Sequence, residues 1–320
     1  MTTPNQATGS MVSVIIPALN ATDTLPSQLS ALAAQTYDQA WEVLVADNGS
    51  SDSTKELVEQ TAAHFPVPLR FVDASQRRGS CHARNTGAVA SHGDLLLFCD
   101  ADDVVDHDWI ARGADALRAA DLVAGATREL RSPIDPDAPL VHPDVWVGRP
   151  GNEVVISSNL GVRREFYFRA GGFDESLPPY GCHDIEFGLR VRKCGGEVAR
   201  EPRMVVFFRR TTDARALLRK VYRSGRTEPL VWDRHPDLFP RDRSLRAAVR
   251  QLAALPISLT RNAVRRTGEQ PSQGARELVV RFGHVAAYLP GGTRSNDRPP
   301  LLLTPADDPR QTPHHEDTIR

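Results

Sequence analysis

The stretch "GDLLLFCDADDVVD", Gly93 to Asp106, decides how the rest of the chain is read. Four apolar residues and Cys99 run directly into Asp100, Asp102, Asp103 and Asp106. An apolar run of that length fits a strand buried on both faces, as in a parallel sheet. Carboxylates set so closely repel one another when all are ionised. The cluster therefore calls for a cation, a hydrogen-bond network or bulk water.

Upstream, the same grammar repeats. "MVSVIIPALN" (Met11 to Asn20) is a β-branched run stopped near Pro17, and "TLPSQLSALAAQ" then spaces Leu25, Leu29 and Leu32 along one helix face. "WEVLVADNGSSDSTKELVEQTAAHF" gives a strand from Trp41, a polar turn, and a helix through His64 capped by Asp52 or Ser53. "PLRFVDAS" reads as a third strand and "SCHARNTGAVAS" as a short helix. Strands alternating with helices predict an α/β fold, a mostly parallel central sheet flanked by helices. In such sheets ligands gather outside the carboxyl ends of the strands. Asn20, Asp47 and Asp100 each stand just beyond such an end.

Beyond Pro133 the prolines of "SPIDPDAPLVHPDVWVGRPG" predict an irregular excursion, a candidate lid. "NEVVISSNLGVRREFYFRAGGFDES" predicts a strand, a turn, a short helix and a paired glycine, and "HDIEFGLRVRKCGG" a helix. "EPRMVVFFRR" reads as a last strand. The expected organisation is a flexible leader at 1–10, a catalytic domain at 11–212, an Arg-rich helical extension at 213–289 and a disordered tail at 290–320.

The 320 residues, 40% apolar and 25% charged, are enough to bury a sizeable core. A net charge of -1 argues against a nucleic-acid binder. From Glu201 to Arg250, however, thirteen Arg and Lys face six Asp and Glu. Cys81, Cys99, Cys182 and Cys194 form no CxxC pair, and no apolar signal stands at the N-terminus, so neither a disulfide framework nor a zinc site is expected. The expectation is a cytoplasmic protein, soluble or peripheral at the inner face of a membrane. No apolar run approaches the roughly 20 residues of a membrane span.

Each motif admits a bland reading. The acidic cluster fits a hard cation, Mg²⁺ or Mn²⁺, or equally a solvated turn before a helix at Asp108 to Leu117. Asp47 belongs to good turn chemistry, "DNGSSD". Arg84 suits a diphosphate, or an ion pair with a neighbouring carboxylate. Asp184, at the mouth of a helix after the flexible "GGFDES", suits a general base, or merely complements the helix dipole.

Taken in order over roughly Val12 to Gly196, these segments resemble family 2 of the glycosyltransferases, with the GT-A fold. The resemblance implies a nucleoside-diphosphate-sugar donor, with Pro17, Ala18 and Asp47 lining the base pocket and Arg84 near ribose or phosphate. Asp100 and Asp102 match the DxD motif; the resemblance makes Asp102 the first metal ligand, with Asp100 nearer the ribose and the metal's hydration shell. It makes Asp184 the base that deprotonates a hydroxyl acceptor in an inverting transfer, and Asn159, with the "GGFDES" loop, a contributor to donor specificity. Two positions depart from the pattern. His183 stands where a glutamate usually precedes the base, and Phe207, Phe208 or Arg209 stands where a later metal-binding histidine is expected.

Three functions follow as expectations. The first is sugar transfer to a hydroxyl acceptor. The second is transfer to a lipid-linked acceptor, with the Arg-rich C-terminal helices giving a peripheral membrane contact. The third is a non-catalytic nucleotide-sugar-binding scaffold. Acceptor identity and oligomeric state are not encoded in any of these motifs.

Overall fold

The computed structural model describes residues 10–141, 155–179, 182–239, 244–255, 271, 273–292 and 299–310. Residues 1–9 of the leader expected at 1–10, and residues 142–151 of the excursion after Pro133, lie outside the described residues. The chain divides into two compact units, residues 1–173, 187–209 and 302–320 forming one and residues 174–186 and 210–301 the other.

The first unit is built on an eight-stranded mixed sheet: β1 (Val12–Ala18), β2 (Trp41–Asp47), β3 (Leu69–Asp73), β4 (Leu95–Cys99), β5 (Val104–Val105), β6 (Leu122–Glu129), β7 (Asn159–Arg163) and β8 (Val198–Phe208). Their order across the sheet is β3-β2-β1-β4-β7-β6-β8-β5. The first four strands pair in parallel; β7 runs antiparallel to both β4 and β6. Strand periodicity sorts the apolar residues between two layers. Val12, Val14 and Ile16 of β1 and Leu95, Leu97 and Cys99 of β4 face one cluster, while Ile15, Leu96 and Phe98 face the other. Both faces are covered, so the strands are apolar almost throughout.

The first cluster is closed by α1 (Leu25–Ala33), α2 (Thr54–Ala62) and α4 (Trp109–Ala116). The second is closed by α3 (Ser80–Ala90), α5 (Arg164–Arg169) and the latter part of α6 (His183–Lys193). Here Phe98, Tyr167, Phe173 and Phe187 form a ring-on-ring core with centroids 4.8 to 6.0 Å apart.

Strand β6 was not expected from "ADLVAGATREL", because Gly125 interrupts its pattern. The register of β6 on β8 slips between Gly125 and Ala126, where a Cβ on Gly125 would stand 2.3 Å from the Met204 carbonyl. The tail also departs from expectation. Far from being disordered throughout 290–320, residues 299–310 are docked: Leu303 N–H donates to the Gly171 carbonyl at 2.9 Å, and Asp308 pairs with Arg164 at 2.9 Å, both side chains only 4% exposed.

The second unit is helical, with α7 (Ala214–Arg234), α8 (Leu245–Ala253) and α9 (Gln273–Ala287). Helices α7 and α9 approach backbone to backbone, since a Cβ on Gly225 would lie 2.5 Å from the Val280 carbonyl. Beside that crossing His284 Nε2 meets Glu228 Oε2 at 2.5 Å, with Trp232 packed edge-on at 4.8 Å. The helical unit begins at Arg210, and residues 174–186 group with the helices as well. The "GGFDES" loop explains part of this, because Asp174 is fully buried against Arg234 and accepts from Leu301 N–H at 3.0 Å.

Candidate active site

Strands β2, β1 and β4 are immediate parallel neighbours, so their carboxyl ends deliver residues to one edge of the first unit. After β1, which ends in Pro17 and Ala18, Asn20 adopts a left-handed φ of 50°, a conformation asparagine tolerates better than most residues. There it clamps the next loop: Asn20 N–H donates to Ser50 Oγ and its Oδ1 accepts from Ser51 N–H, both at 2.8 Å. Asp52 adds to the clamp by accepting from Thr22 and Thr54. Burial pushes the Asp52 carboxyl up, but those hydrogen bonds outweigh it and draw the pKa down to about 2.

Asp47 closes β2 and is 6% exposed. Its carboxylate accepts from Gly49 N–H at 3.1 Å, from Ser50 N–H at 2.9 Å and from the Ser50 hydroxyl. The turn thus holds the carboxylate in a single orientation. Asn48, which sequence reasoning passed over as turn chemistry, ties three segments together. It donates to the Ala74 and Arg77 carbonyls at 2.7 Å, accepts from Gly79 N–H at 2.7 Å, and its own N–H reaches the Ala18 carbonyl at 2.8 Å.

The acidic turn follows β4. Carboxylate oxygens of Asp100, Asp102 and Asp103 lie within 4.8 Å of one another. Asp106 is not among them; it belongs with His107 and Asp108, so the four-carboxylate cluster read from the sequence is a group of three. Arg84, buried on α3, meets Asp100 Oδ1 at 2.5 Å and lies over the Phe173 ring at 5.5 Å. Of the two readings of Arg84, the ion pair with a neighbouring carboxylate is the one present. Gln28 braces the turn from below, its Nε2 donating to the Asp100 carbonyl at 3.2 Å and its Oε1 accepting from Val105 N–H at 3.0 Å. A signal for Gln28 existed: it lies on the buried Leu25, Leu29, Leu32 stripe, where a polar residue needs a partner.

Asp103 is 1% exposed. Its Oδ1 accepts from Arg209 N–H at 2.9 Å, and its buried Oδ2 has no hydrogen-bond partner among the described residues. Burial first, and then the charges of Asp100 and Asp102, push its carboxyl well above the usual range. Three oxygen donors, one of them orphaned, suit a hard divalent cation such as Mg²⁺ or Mn²⁺. Arg209 Nε donates to the Asp102 carbonyl at 3.0 Å. Of the three residues expected in place of a histidine, it is Arg209 that reaches the acidic turn.

Asn159 has a different role from the one expected. It is 0% exposed, and its amide is spent inside the sheet: Oδ1 accepts from Trp109 Nε1 at 2.8 Å, and Nδ2 donates to the Ala126 and Met204 carbonyls at 2.7 and 2.9 Å. It bridges the register slip between β6 and β8. Asp184 belongs to the second unit, in the first turn of α6, where its Oδ1 accepts from Ile185 N–H at 2.9 Å. Two residues on, Glu186 is buried and lies 3.3 Å from His235 Nε2. All four cysteines are free.

A parallel βαβ core whose fourth strand ends in an acidic turn, continued by a mixed half-sheet, defines a GT-A domain. Residues 13–163, just under half of the chain, match the family model of Glycosyl transferase family 2. It is similar to the glycosyltransferase AglE of Haloferax volcanii, 39% identical over 117 residues, 36% of this chain and 38% of that one. It is also similar to the Escherichia coli UDP-Glc:alpha-D-GlcNAc-diphosphoundecaprenol beta-1,3-glucosyltransferase WfgD, 34% identical over 101 residues, 32% of this chain and 37% of that one. The chain thus spans well under two thirds of these relatives. Among solved structures, a mannosyltransferase from Pyrobaculum calidifontis in complex with GDP-Man and Mn²⁺ shares the fold, with a TM-score of 0.59 at 18% identity over 87% of this chain and 81% of that one.

Proposed function

We propose that this protein transfers a glycosyl group from a nucleoside-diphosphate-sugar to a hydroxyl acceptor, with inversion at the anomeric carbon. The observation that carries the reading is the Asp100, Asp102, Asp103 cluster at the carboxyl edge of the parallel strands. Pro17, Ala18, Asn20 and Asp47 form the edge against which the nucleoside lies, and the clamp between their two loops keeps that edge rigid before the ligand arrives. Arg84 holds Asp100 toward the ribose side. Asp102, exposed at the tip of the turn, is the first ligand for Mg²⁺ or Mn²⁺, with Asp100 beside it. When bound, such a cation offsets charge on the departing nucleoside diphosphate as a Lewis acid. Asp184 takes the proton of the acceptor hydroxyl as that oxygen attacks, which makes it the general base.

The test is a transfer assay on purified protein with UDP-, GDP- and TDP-sugars and sugar or lipid-linked acceptors. Asp184→Asn is expected to lose about 10²- to 10⁴-fold in turnover while nucleotide affinity is retained. A variant with undiminished turnover removes Asp184 from the role.

A specific observation favours a lipid-linked acceptor as a second reading. Helix α8 turns Ala247 and Ala248 inward and leaves Leu245 and Val249 39% and 47% exposed, flanked by the exposed Arg246 and Arg250. An apolar stripe bordered by arginines on an outer face suits the interface of an anionic membrane. The acceptor in the name of WfgD, a diphosphoundecaprenol, is of the same class. Among the described residues no helix is long and apolar enough to cross a membrane, so any contact made by these helices is peripheral. Co-sedimentation with phosphatidylglycerol vesicles is expected at low salt and reduced at high salt. Absence of binding at low salt removes this reading.

A further inference from the structure

Arg209 follows β8 directly and engages the acidic turn twice, through its N–H to Asp103 Oδ1 at 2.9 Å and through Nε to the Asp102 carbonyl at 3.0 Å. Neither contact uses the ends of the guanidinium. Among the described residues, its two terminal nitrogens make no hydrogen bond and no ion pair, although three carboxylates stand on the same turn. An arginine beside an anionic cluster ordinarily closes on a carboxylate as a two-pronged fork. Here the Nε contact fixes the plane of the group against backbone, and the prongs remain available on an exposed residue. Asp100 already has Arg84, so the turn carries one arginine spent on a carboxylate and a second held beside it with its fork uncommitted.

A planar fork of N–H donors matches two oxygens of a phosphate better than any other side chain does. We infer that Arg209 binds the diphosphate of the donor through its terminal nitrogens and stabilises the charge that collects there as the sugar leaves. The inference rests on the nucleotide-sugar reading above. In the transfer, the bond between the anomeric carbon and the diphosphate oxygen breaks with its electron pair remaining on that oxygen. The acceptor oxygen forms the new bond to the anomeric carbon, and its proton passes to Asp184. No other group is consumed. Arg209 thus acts on the leaving group, where positive charge fixed in advance favours the transition state over the intact donor.

Calorimetry on the full chain with Mn²⁺ tests this, using UDP, GDP and TDP beside UMP, GMP and TMP. For the base that wild type selects, Arg209→Gln is expected to weaken diphosphate binding about 10- to 100-fold, the size of one or two charge-assisted hydrogen bonds. Monophosphate affinity should move by less than about threefold. A variant that keeps the wild-type ratio of diphosphate to monophosphate affinity overturns the inference, and so does one that weakens both ligands equally, which marks a purely structural role. Thermal melting of the glutamine variant checks that the turn is intact. Should that variant melt early, Arg209→Lys carries the test, because it keeps the charge and loses the fork. It is expected to bind the diphosphate several-fold less tightly than wild type, and unchanged affinity overturns the inference. If wild type binds no nucleotide, the nucleotide-sugar reading falls and this inference with it; if wild type binds and the variants do not differ from it, only the inference falls.

Discussion

Asn159→Ala removes a single amide on which three buried groups depend. Trp109 Nε1, the Ala126 carbonyl and the Met204 carbonyl each lose a hydrogen bond of 2.7 to 2.9 Å at a site with no solvent access. A buried polar group left unsatisfied costs about 1–3 kcal/mol, so the three together, with some relaxation of the β6–β8 slip, place the loss at about 3 to 5 kcal/mol. Against a typical total of about 5–15 kcal/mol, that is a large fraction of the stability. Urea denaturation measures it directly, as a fall in midpoint with little change in slope. Nucleotide affinity of the remaining folded protein should be close to wild type, since the side chain faces the sheet interior. Gly125→Ala should destabilise in the same direction, because its Cβ would stand 2.4 Å from Asn159 Nδ2. The reasoning is refuted if Asn159→Ala unfolds at the wild-type urea concentration yet binds nucleotide more weakly, for then the amide serves the ligand.

Two further outcomes concern the frame around the site. Asp308→Ala strands the buried Arg164 guanidinium, which also donates to the Ser91 carbonyl and hydroxyl at 3.0 and 2.9 Å; breaking one side of a buried pair predicts a loss of about 3–5 kcal/mol in urea denaturation. Glu42 accepts from Ser13 Oγ, His92 N–H and Arg70 at 2.7 to 2.9 Å. Burial pushes its carboxyl up, but the hydrogen bonds from His92, Ser13 and Arg70 outweigh it and hold the pKa below the ordinary 4.5. A depressed carboxylate contributes stability above its unfolded pKa and loses it as pH falls through the folded one. Glu42→Gln should therefore melt lower than wild type at pH 7, with the gap closing as pH drops below 4.5; a gap that persists in acid contradicts this.

The first half of the fold was open to reading because its strands are buried on both faces and its helices carry regular apolar stripes. Leu25, Leu29 and Leu32 announce α1 as plainly as Leu95 to Phe98 announce β4. Strand β6 was hidden by Gly125, whose need is a close backbone approach visible only in three dimensions. The docked tail was hidden for a related reason: a Pro- and Asp-rich segment reads as solvated until Arg164 is seen waiting for Asp308. At the site, the turn carboxylates were readable from spacing after an apolar strand. Their braces were legible only in part: Gln28 on the apolar stripe of α1 called for a partner and the resemblance put Arg209 among three residues near the site, but their contacts lie 72 and 107 positions away along the chain. The resemblance put Asn159 near the donor; its three partners within the sheet are announced by no spacing in the sequence.

The central claim is that the carboxylate turn is half of a cation-diphosphate site whose other half arrives with the donor. Calorimetric titration of UDP, GDP and TDP into purified protein, with and without Mn²⁺, and repeated on Asp102→Asn, tests it most directly. The account predicts that one nucleoside diphosphate binds, that binding requires the metal, and that the variant loses at least about tenfold in affinity. Binding that is indifferent to Mn²⁺ and to the loss of the Asp102 charge, or no binding of any of the three, would contradict it.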